Sequence, residues 1–118
     1  MIFEISHPTS EINASVTLPA SKSISNRALI LEALTGKNCK IKNLSSADDT
    51  KNLKDVLTIF NTSKGNDALY NSGDGGTTMR FLISFFAIQE GRSVILNGSD
   101  RMNQRPVKPL VDALKKLG

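Results

Sequence analysis

The stretch "GDGGTTMRFLISFFAIQEGRSVILNG", residues 73 to 98, contains a glycine-rich loop, a helix and a strand in immediate succession. The strongly apolar segment that starts at Thr77 predicts a helix, and Gly91 is the residue type that commonly ends one. "RSVILNG" has the continuous apolar run typical of a buried strand. A buried helix that leads into a buried strand predicts an α/β chain, with helices layered on a sheet.

Further strands are predicted closer to the N-terminus. "MIFEISH" and "EINASVTLP" are two strand signals, and the second alternates strictly, which predicts a half-buried strand. Its apolar face would consist of Ile12, Ala14, Val16 and Leu18. "NCKIKNL" predicts a short strand, and residues 61–76 have room for at most one more. The predicted order is β-β-α-β-α-(β)-α-β-α.

Three other segments predict helices. Residues 25–34 are so densely apolar that we expect a helix buried on most sides. "SSADDTKNLKDVLTIF" has the helical spacing of Leu53, Val56, Leu57 and Phe60, and Ser46 with Asp49 resembles a capping pair. Asp48 and Asp49 are better interpreted as charges at the helix start than as paired catalytic carboxylates. "RPVKPLVDALKKLG" predicts a last helix, with Pro106 in its first turn.

Composition limits the possible functions. The chain has 118 residues, 39% of them hydrophobic and 22% charged, as expected for one soluble domain. One cysteine, Cys39, and one histidine, His7, exclude an internal disulfide and argue against a metal site built from these two residues. We expect Cys39 to pack in a strand and His7 to lie in a turn. No apolar run approaches a membrane span, so we expect a cytoplasmic protein without membrane contact.

The first candidate site lies at the start of the helix that follows residue 20. Helix N-termini have unpaired N–H groups and a partial positive charge, and they therefore attract anions. Ser21, Ser23 and Ser25 can cap the helix or donate hydroxyl hydrogen bonds. Lys22 adds a point charge, and Arg27 adds a planar fork that suits phosphate or carboxylate.

Two more basic helix starts follow. In "SGDGGTTMR" the glycines let a ligand approach the backbone, and Arg80 lies in the first turn. In "SDRMNQRPVKPL" Arg101 and Arg105 precede a helix. Three such starts predict a small ligand with several negative charges. A nucleic acid fits less well, because aromatic residues make up only 5% and no stacking motif accompanies the charges.

The segments that carry these features resemble one family. "LPASKSISNRALILEAL", "SADDT", "GDGGTTMRFL" and "GSDRMNQRPVKPLVDALKKLG" resemble, in this order, the N-terminal motifs of the 5-enolpyruvylshikimate-3-phosphate synthase family. The resemblance covers most of residues 18–118, and its Ser-Lys-Ser-x-Ser-Asn-Arg segment is highly specific. The UDP-N-acetylglucosamine enolpyruvyl transferase family is a weaker match, because its first motif differs.

The resemblance implies a transferase of the shikimate pathway, which serves aromatic amino-acid and chorismate biosynthesis. Such an enzyme moves the enolpyruvyl group of phosphoenolpyruvate to the 5-hydroxyl of shikimate 3-phosphate and needs no cofactor or metal. By position, Lys22 resembles the catalytic lysine that touches both substrates, and Ser23 and Arg27 resemble shikimate 3-phosphate ligands. Gly76 and Arg105 match residues that contact phosphoenolpyruvate. Arg80 and Arg101 are supporting charges.

Family members are several times longer than this chain, which therefore resembles an N-terminal fragment that is inactive alone. The family's domains are built from βαβαββ units. The resemblance implies that residues 1–19 form a strand pair belonging to the other domain, and that residues 20–118 begin one enolpyruvyl-transferase domain. Strands without their sheet expose backbone edges, so we expect them to pair within a dimer or to fold onto the remaining sheet.

Two alternatives remain open at this stage. The chain could be related to the UDP-N-acetylglucosamine enolpyruvyl transferases, or it could be a phosphate-binding module without catalytic function. A basic nucleic-acid binder is the weakest interpretation, and it would predict affinity for oligonucleotides that falls steeply with salt.

Overall fold

The computed structural model describes residues 2–6, 8, 11–36, 39–63 and 68–118. Within these ranges the elements are α1 (Lys22–Leu34), α2 (Asp48–Thr62), β1 (Ala68–Asn71), α3 (Gly76–Ala87), β2 (Val94–Asn97), α4 (Asp100–Asn103) and α5 (Lys108–Leu117). The two strands pair in parallel, with Leu69 opposite Ile95, and α3 connects them. This mixture confirms the predicted α/β class, but a two-stranded sheet does not confirm the βαβαββ unit.

The core lies where α2 and α3 pack on one face of the sheet. Leu53 of α2 and Leu82 of α3 are fully buried. An aromatic cluster surrounds them, formed by Phe60, Tyr70, Phe85 and Phe86, with ring centroids 5.1–6.0 Å apart. The helical spacing of α2 therefore marked the core-facing side correctly.

The opposite face of the sheet is open. Tyr70 is buried against the helices, whereas its neighbour Leu69 is 65% exposed and Ile95 is 54% exposed. Alternate residues of a strand point to opposite faces, so a sheet with one covered face buries only every second side chain. The prediction of a fully buried strand at residues 92–98 was wrong for this reason.

Helix α1 is attached to α2 by buried polar contacts. Ser45 N–H donates to Ser25 Oγ at 2.9 Å, and Thr50 Oγ1 donates to Asn26 Oδ1 at 2.8 Å. Leu29 is buried beside them, but Ile24 and Leu31 on other sides of α1 are 71% and 60% exposed. The expectation that α1 is buried on most sides was wrong, because among the described helices and strands α2 and α3 make most of the contacts with it.

Neither strand predicted before α1 is present in its described residues. Residues 2–6, 8 and 11–19 contain no strand, and Ile12, Val16 and Leu18 of the predicted apolar face are 76–81% exposed. Alternation specifies which side chains share a face, but a strand also needs a hydrogen-bonded neighbour. The predicted turn at His7 lies outside the described residues.

The strand predicted at "NCKIKNL" is absent from its described residues, 39–44. Asn43 has a φ of 58°, in the left-handed region, which interrupts an extended backbone. Ile41 and Leu44 still pack against the core from an irregular loop. Cys39 is exposed, and the expectation that it packs in a strand was therefore wrong.

Several helix boundaries also differ from the prediction. The N-cap of α2 is Ala47, without a side-chain hydrogen bond, so Ser46 and Asp49 do not form the predicted capping pair. Helix α3 ends at Ala87, before Gly91. Pro106 precedes α5, whose first turn contains Pro109 instead. In the part of the chain that is described, no helix has the length and apolarity to cross a membrane.

Candidate functional site: a cationic surface at the helix starts

Lys22 is the first residue of α1 and lies where the helix dipole opposes its charge. Ser21 caps this helix by accepting a hydrogen bond from Ile24 N–H at 3.4 Å, and the first turn contains no acidic residue. A cation at a helix N-terminus is unfavourable by about 0.3–1 kcal/mol. Lys22 Nζ pairs with Oδ2 of Asp49, a residue in the first turn of α2, at 2.8 Å. This ion pair joins α1 to α2 and leaves the ammonium group half exposed.

Asp49 connects the starts of three helices. It belongs to the first turn of α2, which confirms the helix-start interpretation, and its carboxylate holds Lys22 of α1. Its backbone carbonyl accepts a hydrogen bond from the buried Thr78 Oγ1 of α3 at 3.4 Å. Gly75, the N-cap of α3, is so close that an added Cβ would lie 3.1 Å from Asp49 Cγ. The first two basic helix starts therefore meet at this residue.

Ser23 and Arg27 form one unit on α1. The Arg27 guanidinium folds back and donates to the Ser23 carbonyl at 2.9 Å. Its Cζ also lies 5.8 Å from the centre of the Phe81 ring on α3. This contact holds the guanidinium between α1 and α3, beside the exposed Ser23 side chain.

Two guanidinium groups lie against Gly76 at the start of α3. A Cβ added to Gly76 would lie 2.8 Å from Arg105 Nη1 and 3.0 Å from Arg80 Nη1. A larger residue at this position would displace the ends of both arginine side chains. Arg80 donates to the Gly76 carbonyl at 2.9 Å and to the Pro106 carbonyl at 3.1 Å, so it joins the third helix start to the second.

The structure thus brings the predicted residues into two neighbouring groups. Lys22, Ser23 and Arg27 share the first turns of α1, and Gly76 and Arg105 meet at α3. Asp49 and the backbone of Gly75 connect the groups. Arg101 is exposed on α4, and in the described part of the chain no hydrogen bond or ion pair joins it to the other predicted residues.

Three features of this surface were missed from sequence. Asp49 was interpreted only as a helix-start charge, and its pairing with Lys22 joins residues 27 positions apart. The contact of Arg27 with Phe81 is equally non-local. Helix α4 and a hydrogen bond from the Ser99 hydroxyl to Asp74 were not predicted. The signal available in the sequence for the contact between Ser99 and Asp74 was the position of Asp74 inside the glycine cluster.

Not every pocket near these loops suits an anion. A cleft of about 330 Å³ is lined by Asp48, Asp49, Asn52, Ser72, Gly73 and Asp74. Its carboxylates would repel a phosphate, whereas the guanidinium groups of Arg80 and Arg105, which lie beside Gly76, would attract one. Among the described residues no group of three or more His, Cys, Asp or Glu side chains is arranged to hold a metal ion.

The fold and the site together define a class of protein, an α/β chain whose cationic side chains gather at helix starts and suit small phosphorylated or carboxylated ligands. The sequence model of EPSP synthase (3-phosphoshikimate 1-carboxyvinyltransferase) matches residues 6–118. The chain belongs to the EPSP synthase family.

Individual relatives agree with this assignment. A 3-phosphoshikimate 1-carboxyvinyltransferase of Bacteroides fragilis (strain YCH46) is 44% identical over 109 residues, covering 92% of this chain and 25% of that protein. One of Petrotoga mobilis is 36% identical, covering 94% and 30%. A pentafunctional AROM polypeptide of Pneumocystis carinii is 39% identical, covering 90% and 8%. The chain thus spans less than a third of each relative, and no solved structure matches it.

Proposed function

We propose that this chain provides one wall of a site that transfers the enolpyruvyl group of phosphoenolpyruvate to the 5-hydroxyl of shikimate 3-phosphate and releases inorganic phosphate. Both substrates carry a phosphate and a carboxylate, and the cationic surface at the helix starts offers partners for such groups. The proposal applies to a longer protein of the kind seen in the relatives. The 118 residues alone are expected not to turn over substrate.

Lys22 is proposed as the catalytic residue of this wall. In the free chain its ammonium is held by Asp49, and it is still 50% exposed, so it can reach a bound substrate. An ammonium can stabilise a developing negative charge or move a proton at the reacting carbon. The ion pair with Asp49 holds the Lys22 ammonium group near the start of α1 before substrate binds.

The remaining residues divide the two substrates between them. Ser23 and Arg27, which lie together on α1, are proposed to bind shikimate 3-phosphate. Gly76 is proposed to place its backbone against phosphoenolpyruvate, with Arg105 on the phosphate of that substrate. Arg80 is proposed as a second positive charge for the same phosphate, because it also lies beside Gly76.

The observation that carries the proposal is the close approach of two guanidinium groups to a glycine at a helix start. Two like charges repel each other, and a Cβ built on Gly76 would lie within 3.0 Å of a guanidinium nitrogen of each arginine, so an anion bound at this point would lower their repulsion. Phosphate and carboxylate are the anions that a guanidinium fork recognises in a bidentate manner.

Titration of the 118-residue chain with each substrate tests this division. We expect weak binding of both. Arg27→Ala should lower the affinity for shikimate 3-phosphate by roughly tenfold or more, and Arg105→Ala should lower the affinity for phosphoenolpyruvate by a similar factor. Lys115→Ala, which removes the same charge from an exposed position in the last turn of α5, serves as the control. Equal effects of all three substitutions would contradict the proposal.

The same titration separates the two alternatives. Binding of UDP-N-acetylglucosamine in preference to shikimate 3-phosphate would favour the related transferases. Binding of inorganic phosphate as tightly as either substrate would favour a phosphate-binding module. Release of inorganic phosphate from mixed substrates by the isolated chain would show that the 118 residues turn over by themselves.

The assignment of residues 1–19 to another domain, and of residues 20–118 to the first part of an enolpyruvyl-transferase domain, is also a proposal. It is supported by the exposure of residues 11–19, which belong to no strand in the described part of the chain. In the isolated chain we propose that this segment pairs with a second copy. A cytoplasmic location, without nucleic-acid or membrane partners, is proposed from the composition alone.

A further inference from the structure

Asp74 and Ser99 join the glycine-rich loop before α3 to the loop before α4. The Asp74 carboxylate accepts a hydrogen bond from the Ser99 hydroxyl, and Ser99 N–H donates to the Gly73 carbonyl at 3.1 Å. A side-chain bond and a backbone bond therefore connect the same two loops. Neither Asp74 nor Ser99 is a proposed substrate ligand, yet each lies in a loop adjacent to such ligands.

Ser99 is also the cap of α4. Its Oγ accepts a hydrogen bond from Met102 N–H at 3.3 Å, and its carbonyl accepts one from Asn103 N–H at 2.9 Å. A hydroxyl has one hydrogen to donate and lone pairs to accept, so Ser99 can hold Asp74 and Met102 together. The bond to Asp74 therefore fixes the direction in which α4 begins.

The end of α4 leads directly to Arg105. Arg105 N–H donates to the Met102 carbonyl at 3.0 Å, and Met102 is buried. The Asn103 side chain bonds both the N–H and the carbonyl of Gly98, at 3.1 and 3.2 Å, which closes α4 onto its own start. Movement at Ser99 is therefore passed through a short, well-bonded turn to Arg105.

These contacts form a closed path. It runs from Asp74 through Ser99 and α4 to Arg105, whose Nη1 lies against Gly76, two residues after Asp74. Arg80 adds a second connection between the same two loops, because it donates hydrogen bonds to the carbonyls of Gly76 and Pro106. Without the Asp74 contact, the Ser99 hydroxyl no longer ties α4 to the glycine-rich loop and the bond from Ser99 N–H to the Gly73 carbonyl remains, so Arg105 is less well fixed over Gly76.

We propose that Asp74 is a positioning residue. Its hydrogen bond from Ser99 orients α4 and thereby holds the Arg105 guanidinium at Gly76, ready for the phosphate of phosphoenolpyruvate. This inference rests on the proposed function, because it takes Arg105 as an anion ligand. It adds a residue that touches no substrate and acts through Ser99.

Three variants and two measurements test the inference. Asp74→Ala removes the acceptor, and Asp74→Asn keeps an oxygen that can accept from Ser99. Asp100→Ala removes the same charge from the exposed residue next to Ser99 and is the matched control. The NMR signals of the Arg105 and Arg80 Nε–H groups report their positions in the free chain. Titration with phosphoenolpyruvate reports affinity, and thermal unfolding confirms that each variant is folded.

In Asp74→Ala we expect the Arg105 signal to shift or broaden, and phosphoenolpyruvate to bind roughly tenfold more weakly. The unfolding midpoint should stay near that of the parent chain. Asp74→Asn should restore both the signal and most of the affinity, and Asp100→Ala should change neither.

An unchanged Arg105 signal in a folded Asp74→Ala chain would overturn the inference, and so would failure of Asp74→Asn to restore it. If Asp74→Ala does not fold, the comparison of Asp74→Asn with Ser99→Ala decides in the same way. If the parent chain binds no phosphoenolpyruvate, the proposed function fails, whereas the Arg105 signal still decides whether Asp74 positions that side chain.

Discussion

Neighbouring glycines at the start of α3 have different surroundings, and single substitutions there have different expected effects. A Cβ on Gly75 would meet the buried Thr78 side chain at 2.7 Å, whereas the close contacts of a Cβ on Gly76 would be the far ends of two flexible arginine side chains, with Met102 Sδ at an ordinary 4.0 Å. The fold therefore requires the first glycine, and the cationic surface requires the second. The sequence motif alone does not distinguish them.

Gly76→Ala should leave the fold nearly unchanged and weaken anion binding. The added methyl group displaces the Arg105 guanidinium by a fraction of an ångström, and errors of this size weaken a fixed site by roughly tenfold or more. Isothermal titration with phosphoenolpyruvate measures the loss, and thermal unfolding monitors the fold.

Gly75→Ala is the comparison variant. Because Thr78 is buried and cannot move away, we expect it to lower the free energy of unfolding by about 1–3 kcal/mol. A larger loss of stability in Gly76→Ala than in Gly75→Ala would contradict this division of roles.

Among elements, the joint between α1 and α2 depends on polar side chains that are out of contact with water. Asn26 and Thr50 are 0% and 2% exposed, and among the described residues the Asn26 Nδ2 atom has no hydrogen-bond partner. The hydrogen bond from Thr50 to Asn26 is therefore important for the stability of the contact between α1 and α2. It also sets where the start of α1 lies relative to Asp49.

Thr50→Val should lower the free energy of unfolding by about 1–3 kcal/mol, because Asn26 then has a buried, unsatisfied oxygen in addition to its nitrogen. Urea unfolding followed by circular dichroism measures the change. Thr58→Val alters an exposed threonine of the same helix and should change stability by less than about 0.5 kcal/mol. Equal losses in the two variants would show that the buried bond contributes nothing.

Element prediction succeeded where the local pattern was sufficient. Helix α2 was identified by the spacing of Leu53, Val56, Leu57 and Phe60, all of which are buried. The ends of α3 and α5 were misplaced, because glycine and proline mark several possible endpoints and packing selects one of them. Helix α4 was missed because its four residues are too few to show a period.

On the scale of the whole molecule, residues 12–19 lie exposed ahead of α1 and belong to no strand in the described part of the chain. Val16 alternates with polar neighbours and is 76% exposed, and both outer edges of the two-stranded sheet are unpaired within the described residues. Unpaired edges and an apolar alternating segment are complementary, because each provides the backbone groups that the other lacks.

We therefore expect the isolated chain to dimerise at micromolar concentration, and sedimentation equilibrium measures this directly. Val16→Glu should shift the population to monomer by placing a charge on the apolar face. Ser15→Glu introduces the same charge on the opposite face and should leave the dimer intact. A monomeric parent chain in which residues 11–19 are disordered by NMR would contradict the proposal.

The sequence by itself determined the class of fold, the core face of α2 and the residues of the candidate site, because periodicity, helix-start chemistry and family motifs are all local in the chain. Tertiary structure decided which of these residues meet. The pairing of Lys22 with Asp49, the approach of Arg105 to Gly76 and the exposure of residues 12–19 each depend on segments distant in sequence. Local patterns specify faces and charges without specifying their partners.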